Sequence, residues 1–108
     1  MGRGVDISAL RSGVRAGRIH WRQHALERML ERGISRAAVI RVLLEGEAIE
    51  TYEEDHPHPS CLVYHGVPEP LHVVVAWSGK AGICHVITAY RPDLQHFEQD
   101  FKTRKRIK

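Results

Sequence analysis

The sequence predicts an α+β domain: N-terminal helices packed on a four-stranded antiparallel β-meander, with a short C-terminal helix. Three observations carry this. Residues 71–77 and 83–90 are two runs rich in Val, Ile, Thr and aromatics, joined by Ser78-Gly79-Lys80-Ala81-Gly82, the pattern of an antiparallel hairpin. Before Gly46 the apolar residues recur at helical spacing. Between Gly46 and Pro70, glycine, proline and acidic clusters punctuate short apolar runs. The 108 residues fit one domain.

Taken in order, Asp6 is placed to cap a first helix with Ile7, Leu10 and Val14 on one side and Gly17 as its stop. Ile19-His20-Trp21 reads as a brief extended stretch. A second helix spans residues 23–32, with Ala25, Leu26, Met29 and Leu30 as its apolar stripe and Gly33 as its C-cap. Ser35 caps a third helix over 36–45, built on Val39, Ile40, Val42, Leu43 and Leu44. Strands are expected at 48–52 and 61–65. The intervening Glu53-Glu54-Asp55-His56-Pro57-His58-Pro59 cannot continue a ladder. The hairpin supplies strands three and four, and Leu94, Phe97 and Phe101 suggest a helix over 94–101. The basic tail, residues 102–108, is expected to be mobile or ordered by an anionic partner.

Strict alternation assigns the hairpin's two faces. With helices over Leu71, Val73, Val75, Trp77, Ile83, Ile87 and Ala89, the opposite face would be open and would carry His72, Thr88 and Tyr90. The expected core is Leu26, Met29, Val39, Val42, Leu43, Val73, Val75 and Ile87.

The net charge of +3 is unevenly placed. Residues 1–44 hold nine arginines against Asp6, Glu27 and Glu31, whereas residues 45–70 hold seven acids and no Lys or Arg. Basic segments on either side of an acidic middle suit a phosphate backbone, and equally an ordinary solvated surface. Cys61 and Cys84 lack CxxC spacing and read as free thiols in a reducing compartment. No apolar run reaches transmembrane length and no apolar signal region opens the chain, so a cytoplasmic protein without a membrane role is expected.

Eight histidines raise the question of metal, but neither His20 with His24 nor His56 with His58 has the paired spacing of a zinc site, so no metal or cofactor is expected. Cys84 and His85 are strand neighbours whose side chains point apart, which argues against a nucleophilic pair. Helix, Gly33-Ile34-Ser35, helix resembles a DNA-binding turn, but Arg28 and Arg32 stand where such a unit wants apolar residues. Phosphodiester cleavage without metal needs a base, an acid and cations for the phosphate. His24, His72 and Tyr90 are the candidates for catalysis. Arg28, Arg32, Arg91, Lys102, Arg104, Lys105 and Arg106 are the candidates for RNA and phosphate binding. Each also has an ordinary structural role available, as a capping, ion-paired or core residue.

The segments His24-Ala25-x-x-Arg28-Met29-x-x-Arg32-Gly33-Ile34-Ser35, Gly46-Glu47-x-Ile49-Glu50-x-Tyr52, Pro70-Leu71-His72-Val73-Val74 and Ile87-Thr88-Ala89-Tyr90-x-Pro92-Asp93 resemble the bacterial domain-of-unknown-function 4258 family. The resemblance runs from about Ile19 to Arg104. Arg22 departs from it, because a small hydroxyl residue is expected there as a helix cap. The resemblance implies a RelE-like fold. By analogy it implies a metal-independent ribonuclease toxin acting on RNA, free or on the ribosome, and paired with a zinc-finger antitoxin. It points to His24, Arg28, His72 and Tyr90. The alternative is a non-catalytic protein- or nucleic-acid-binding module of the same fold.

Overall fold

The computed structural model describes residues 4–105. Its elements are α1 (Ile7–Arg15), β1 (Ile19–Trp21), α2 (Gln23–Arg32), α3 (Arg36–Glu45), β2 (Glu47–Tyr52), β3 (Ser60–His65), β4 (Leu71–Ser78) and β5 (Ile83–Tyr90). The helix ends follow local chemistry. The Asp6 carboxylate accepts from the Ala9 amide at 3.1 Å, and the Ser35 hydroxyl from the Ala38 amide at 3.0 Å. α2 starts at Arg22 with no side-chain cap and ends on Gly33 at φ 67°, a left-handed position that glycine reaches without strain. Arg11 donates to the carbonyls of Leu43, at 3.0 Å, and Gly46, which ties α1 to the open end of α3. Gly46 has no room for a side chain. A Cβ there would stand 2.3 Å from the Tyr64 carbonyl oxygen and 2.6 Å from that of Val42.

The sheet has five strands in the order β1-β5-β4-β3-β2, which corrects the four-stranded expectation. β2 to β5 form the antiparallel meander, and β1 adds to its edge in parallel with β5, pairing His20 with His85. The amide of Cys84 reaches the Arg18 carbonyl at 3.0 Å across this join. The three residues of β1 carry no alternation of their own; the pairing comes from the chain's return in β5.

A β-bulge corrects the facing of β5. Val74 pairs with Thr88 but Val75 pairs with Val86, so Ile87 is the extra residue. Cys84 and Val86 therefore join Ala89 on the helix side, while Ile83 and Ile87, expected in the core, are only half-buried. The core between helices and sheet is formed by Leu10, Met29, Val39, Leu43, Val73, Val75, Cys84 and Val86 with their neighbours; Leu26 packs at its margin. Burial pushes the thiol of Cys61 up to about 11 and, together with the nearby Cys61, that of Cys84 up to about 12. Both cysteines are free, and neither is poised to react.

The helix expected at 94–101 is absent. The carboxylate of Asp93 accepts from the amides of Gln95 and His96, and that of Asp100 from Lys102 and Thr103, so two side-chain turns take the bonds a helix would need. The segment instead crosses the sheet face opposite the helices, inserting Phe97, which is 3% exposed.

Val75 is fully buried, and Val75→Ala is expected to lower stability by roughly 1–3 kcal/mol through lost burial and an unfilled cavity. Gly46→Ala is expected to be worse than Val75→Ala, because two backbone carbonyls must move. Denaturant midpoints of the two variants check both statements.

Candidate functional site

The sheet face away from the helices carries two polar clusters. One lies beneath the C-terminal segment. His72 faces Tyr64 and Tyr90 in adjacent strands, and its ring is closed in by Phe97 at 4.6 Å between centroids. Its Nε2 donates to the Phe101 carbonyl at 2.7 Å, which leaves Nδ1 to accept from the Tyr90 hydroxyl at 3.3 Å. His72 is fully buried, and that burial holds its pKa below the ordinary value against the opposing pull of the Phe101 carbonyl and Glu50. Burial likewise raises the Tyr90 phenol. Beside them Arg104 forks onto Glu50, with Nε to Oε2 at 2.6 Å and Nη2 to Oε1 at 3.1 Å, and the Tyr52 hydroxyl donates to the same carboxylate. Burial alone would raise the Glu50 carboxyl, but the bonds from Arg104 and Tyr52 hold it below the usual range. The Tyr52 phenol is pushed up to about 12 by burial and by Glu50.

This arrangement revises the expected site. His72 and Tyr90 do meet, but under cover rather than on an open face. α2 packs on the other side of the sheet, so His24 and Arg28 do not reach them; His24 is exposed and Arg28 pairs with Glu31 at 3.1 Å. Arg32 donates to the Ala89 carbonyl at 2.8 Å. Arg91 pairs with Glu69 at 2.9 Å and donates to the Arg32 and Gly33 carbonyls at the end of α2. These two arginines clamp α2 to the end of β5. Lys102 pairs with Glu47 at 3.3 Å and Arg104 with Glu50, so the acidic middle of the chain already neutralises them. Lys105 is exposed, and Arg106 lies outside the described residues.

The second cluster is uncovered, and sequence reasoning missed it. The Nδ1 atoms of His20 and His85 face each other at 3.0 Å, so one donates and the other accepts. The His58 ring stacks on His85 at 5.6 Å between centroids, 7° from parallel. Burial lowers the His85 pKa, and the neighbouring His20, His58 and Arg22 lower it further. Arg22 follows β1 in extended backbone, so it shares the outward side with His20 and stands exposed. His20 and His24 do not share a helix face, because His20 lies in β1. The loose grouping of His56, His58, Asp55 and Cys61 also dissolves: Asp55 accepts from Ser60, Cys61 is in the core and His58 turns to His85. Among the described residues no three His, Cys, Asp or Glu side chains converge as a metal-binding group. None of the described helices is long and apolar enough to cross a membrane. The period-two placing of His20 and Arg22 was the available signal, but β1's partner was not readable.

Fold and site define a small α+β domain with one sheet face under helices and the other bearing histidines and a C-terminal strap. The chain belongs to the family described as Domain of unknown function (DUF4258), whose model matches residues 21–91. The match takes in His58, His72, His85 and Tyr90 and leaves out His20 and the strap. No curated protein matches the chain.

The buried His72 gives a pH dependence of stability. Its folded pKa lies below the unfolded value of 6.5, so the unfolded chain binds the extra proton. The stabilisation is complete above pH 6.5 and is lost as the pH falls from there through the folded pKa. Melting temperatures from pH 8 to 5 are expected to fall in the wild type, and to fall less in His72→Asn.

Proposed function

We propose that this chain is a metal-independent ribonuclease of the RelE-like toxin kind, held in check by an antitoxin partner, and that the His20–His85 pair performs the proton transfers. The observation that carries this reading is the 3.0 Å contact between two imidazoles on an uncovered sheet face, with a third imidazole stacked beside them. Two facing Nδ1 atoms hold one proton between them, which supplies one acid and one base near neutral pH. Arg22 beside them is the cation for the phosphate.

His85 is the base, because burial and the neighbouring His20, His58 and Arg22 lower its pKa. RNA supplies the nucleophile from within. As His85 takes the proton of a 2′-hydroxyl, the 2′-oxygen bonds to phosphorus and the bond from phosphorus to the 5′-oxygen breaks. Protonated His20 gives its proton to that leaving oxygen, so the products are a 2′,3′-cyclic phosphate and a 5′-hydroxyl. Phosphate enters by parting the two rings, with His58 backing His85. His72 and Tyr90 hold the strap down and take no part in the proton transfer.

RNA cleavage in the presence of a chelator is the test. His20→Ala and His85→Ala are each expected to lose about 100-fold or more, and the double variant little beyond either single one. The acidic limb of kcat/KM is expected below pH 6.5, because protonating His85 removes the base. His58→Ala should move that limb upward by removing one of the groups that depress His85. Wild-type cleavage by both single variants would exclude the assignment. RNA binding without cleavage would favour the non-catalytic alternative.

A further inference from the structure

Arg104 occupies a place with an unusual combination of surfaces. Beneath its guanidinium lies the ring of Phe97, with 4.9 Å from Cζ to the ring centroid. In its plane stand both oxygens of Glu50, accepting two donors in parallel at 2.6 and 3.1 Å. The Phe97 ring packs perpendicular to His72 at 4.6 Å between centroids, and Glu50 accepts from the Tyr52 hydroxyl, so both surfaces stay in place without Arg104. Arg104 itself is the loose member: its side chain is 52% exposed, against 22% for Glu50. Glu50 lies on the same sheet face as His85, three strands away and out of register with it, so more than about 14 Å apart at ordinary strand spacing.

A flat group that stacks on an aromatic ring and offers two adjacent N–H donors to a carboxylate is the chemical description of guanine. Its N1–H and 2-amino group lie side by side on the Watson–Crick edge, the edge by which single-stranded RNA is read. Adenine presents an acceptor at N1 next to its amino group. Cytosine does the same at N3, and uracil offers one donor between two carbonyls. Only guanine matches the fork that Arg104 makes, and base stacking on a protein aromatic supports it.

We propose that Glu50 and Phe97 form a guanine-binding site for single-stranded RNA, and that Arg104 occupies it as a stand-in when RNA is absent. This rests on the reading of the chain as an RNA enzyme and adds the base it selects. Guanine enters by displacing the Arg104 side chain alone; Phe97 and the rest of the strap stay in place. Arg104 is then released towards the phosphates.

The test is binding, independent of cleavage. Fluorescence anisotropy is measured with a labelled RNA pentamer carrying one central guanine, and with the same pentamer carrying inosine, which lacks the 2-amino donor, or 1-methylguanine, which lacks N1–H. The chain is used whole, as wild type, Arg104→Ala, Arg104→Lys and Arg104→Ala combined with Glu50→Gln. His85→Ala is present throughout to prevent turnover. Guanine is expected to bind about tenfold tighter than either analogue in Arg104→Ala and Arg104→Lys. The preference should shrink in wild type, where Arg104 competes, and vanish with Glu50→Gln. Equal affinity for all three pentamers in both Arg104 variants would overturn the proposal. So would guanosine monophosphate binding as tightly as the pentamer, which would mark a free-nucleotide site, or capture of an arginine peptide in place of RNA. If His20 and His85 prove inert in cleavage while the guanine preference holds, the ribonuclease reading fails and the guanine site stands.

Discussion

One extra residue in β5 decides which side chains this protein shows. His85 and Tyr90 are five apart, so an unbroken strand would send them to opposite faces. The bulge at Ile87 restores them to the same face, while Cys84, Val86 and Ala89 all enter the helix-side core. Without it, either His85 or Tyr90 would have to be buried among the apolar residues under α2, with no polar partner there. The bulge thus reconciles a continuous core on one side with two polar clusters on the other. It also gives the outward face its division into a covered end and an open end.

The covered end is an electrostatic arrangement as much as a hydrophobic one. The basic residues of the C-terminal strap lie on the acidic strand β2, Lys102 on Glu47 and Arg104 on Glu50. Exposed pairs of this kind contribute up to about 1 kcal/mol each and weaken with salt. The firmer anchors are Phe97, buried against His72, and the bond from His72 to the Phe101 carbonyl. Part of the sequence's charge asymmetry is therefore used inside the molecule: the acidic middle neutralises Lys102 and Arg104. Arg22 at the open end stands exposed beside the three imidazoles instead.

Local chemistry was legible in the sequence. Asp6 and Ser35 cap where capping residues should, Gly33 stops α2, and the glycine-bearing loop after Ser78 joins a paired hairpin. The departure at Arg22 moved no boundary; it left a helix start without a side-chain cap. What escaped is non-local. Three residues of β1 give no sign that they pair in parallel with a strand more than sixty residues later. A bulge interrupts alternation without changing composition, so strict alternation puts Ile83 and Ile87 in the core, where Cys84 and Val86 lie instead. The spacing of Leu94, Phe97 and Phe101 suits a helix, but the turns made by Asp93 and Asp100 take the amides that a helix would use. The meeting of His72 with Tyr90 was readable from hairpin register alone. The meeting of His20, His58 and His85 needed three separate parts of the chain to converge.

The proposed ribonuclease reading has RNA engaged at the open histidine cluster. Histidine-ring NMR across the pH range tests this, with and without a short guanine-free RNA that cannot be cleaved because its central 2′-hydroxyl is replaced by hydrogen. RNA is expected to shift the His20 and His85 rings and to raise the His85 pKa, because phosphate stabilises the imidazolium, while the buried His72 ring stays unchanged. RNA that binds while leaving the titration of His85 unaltered would contradict it.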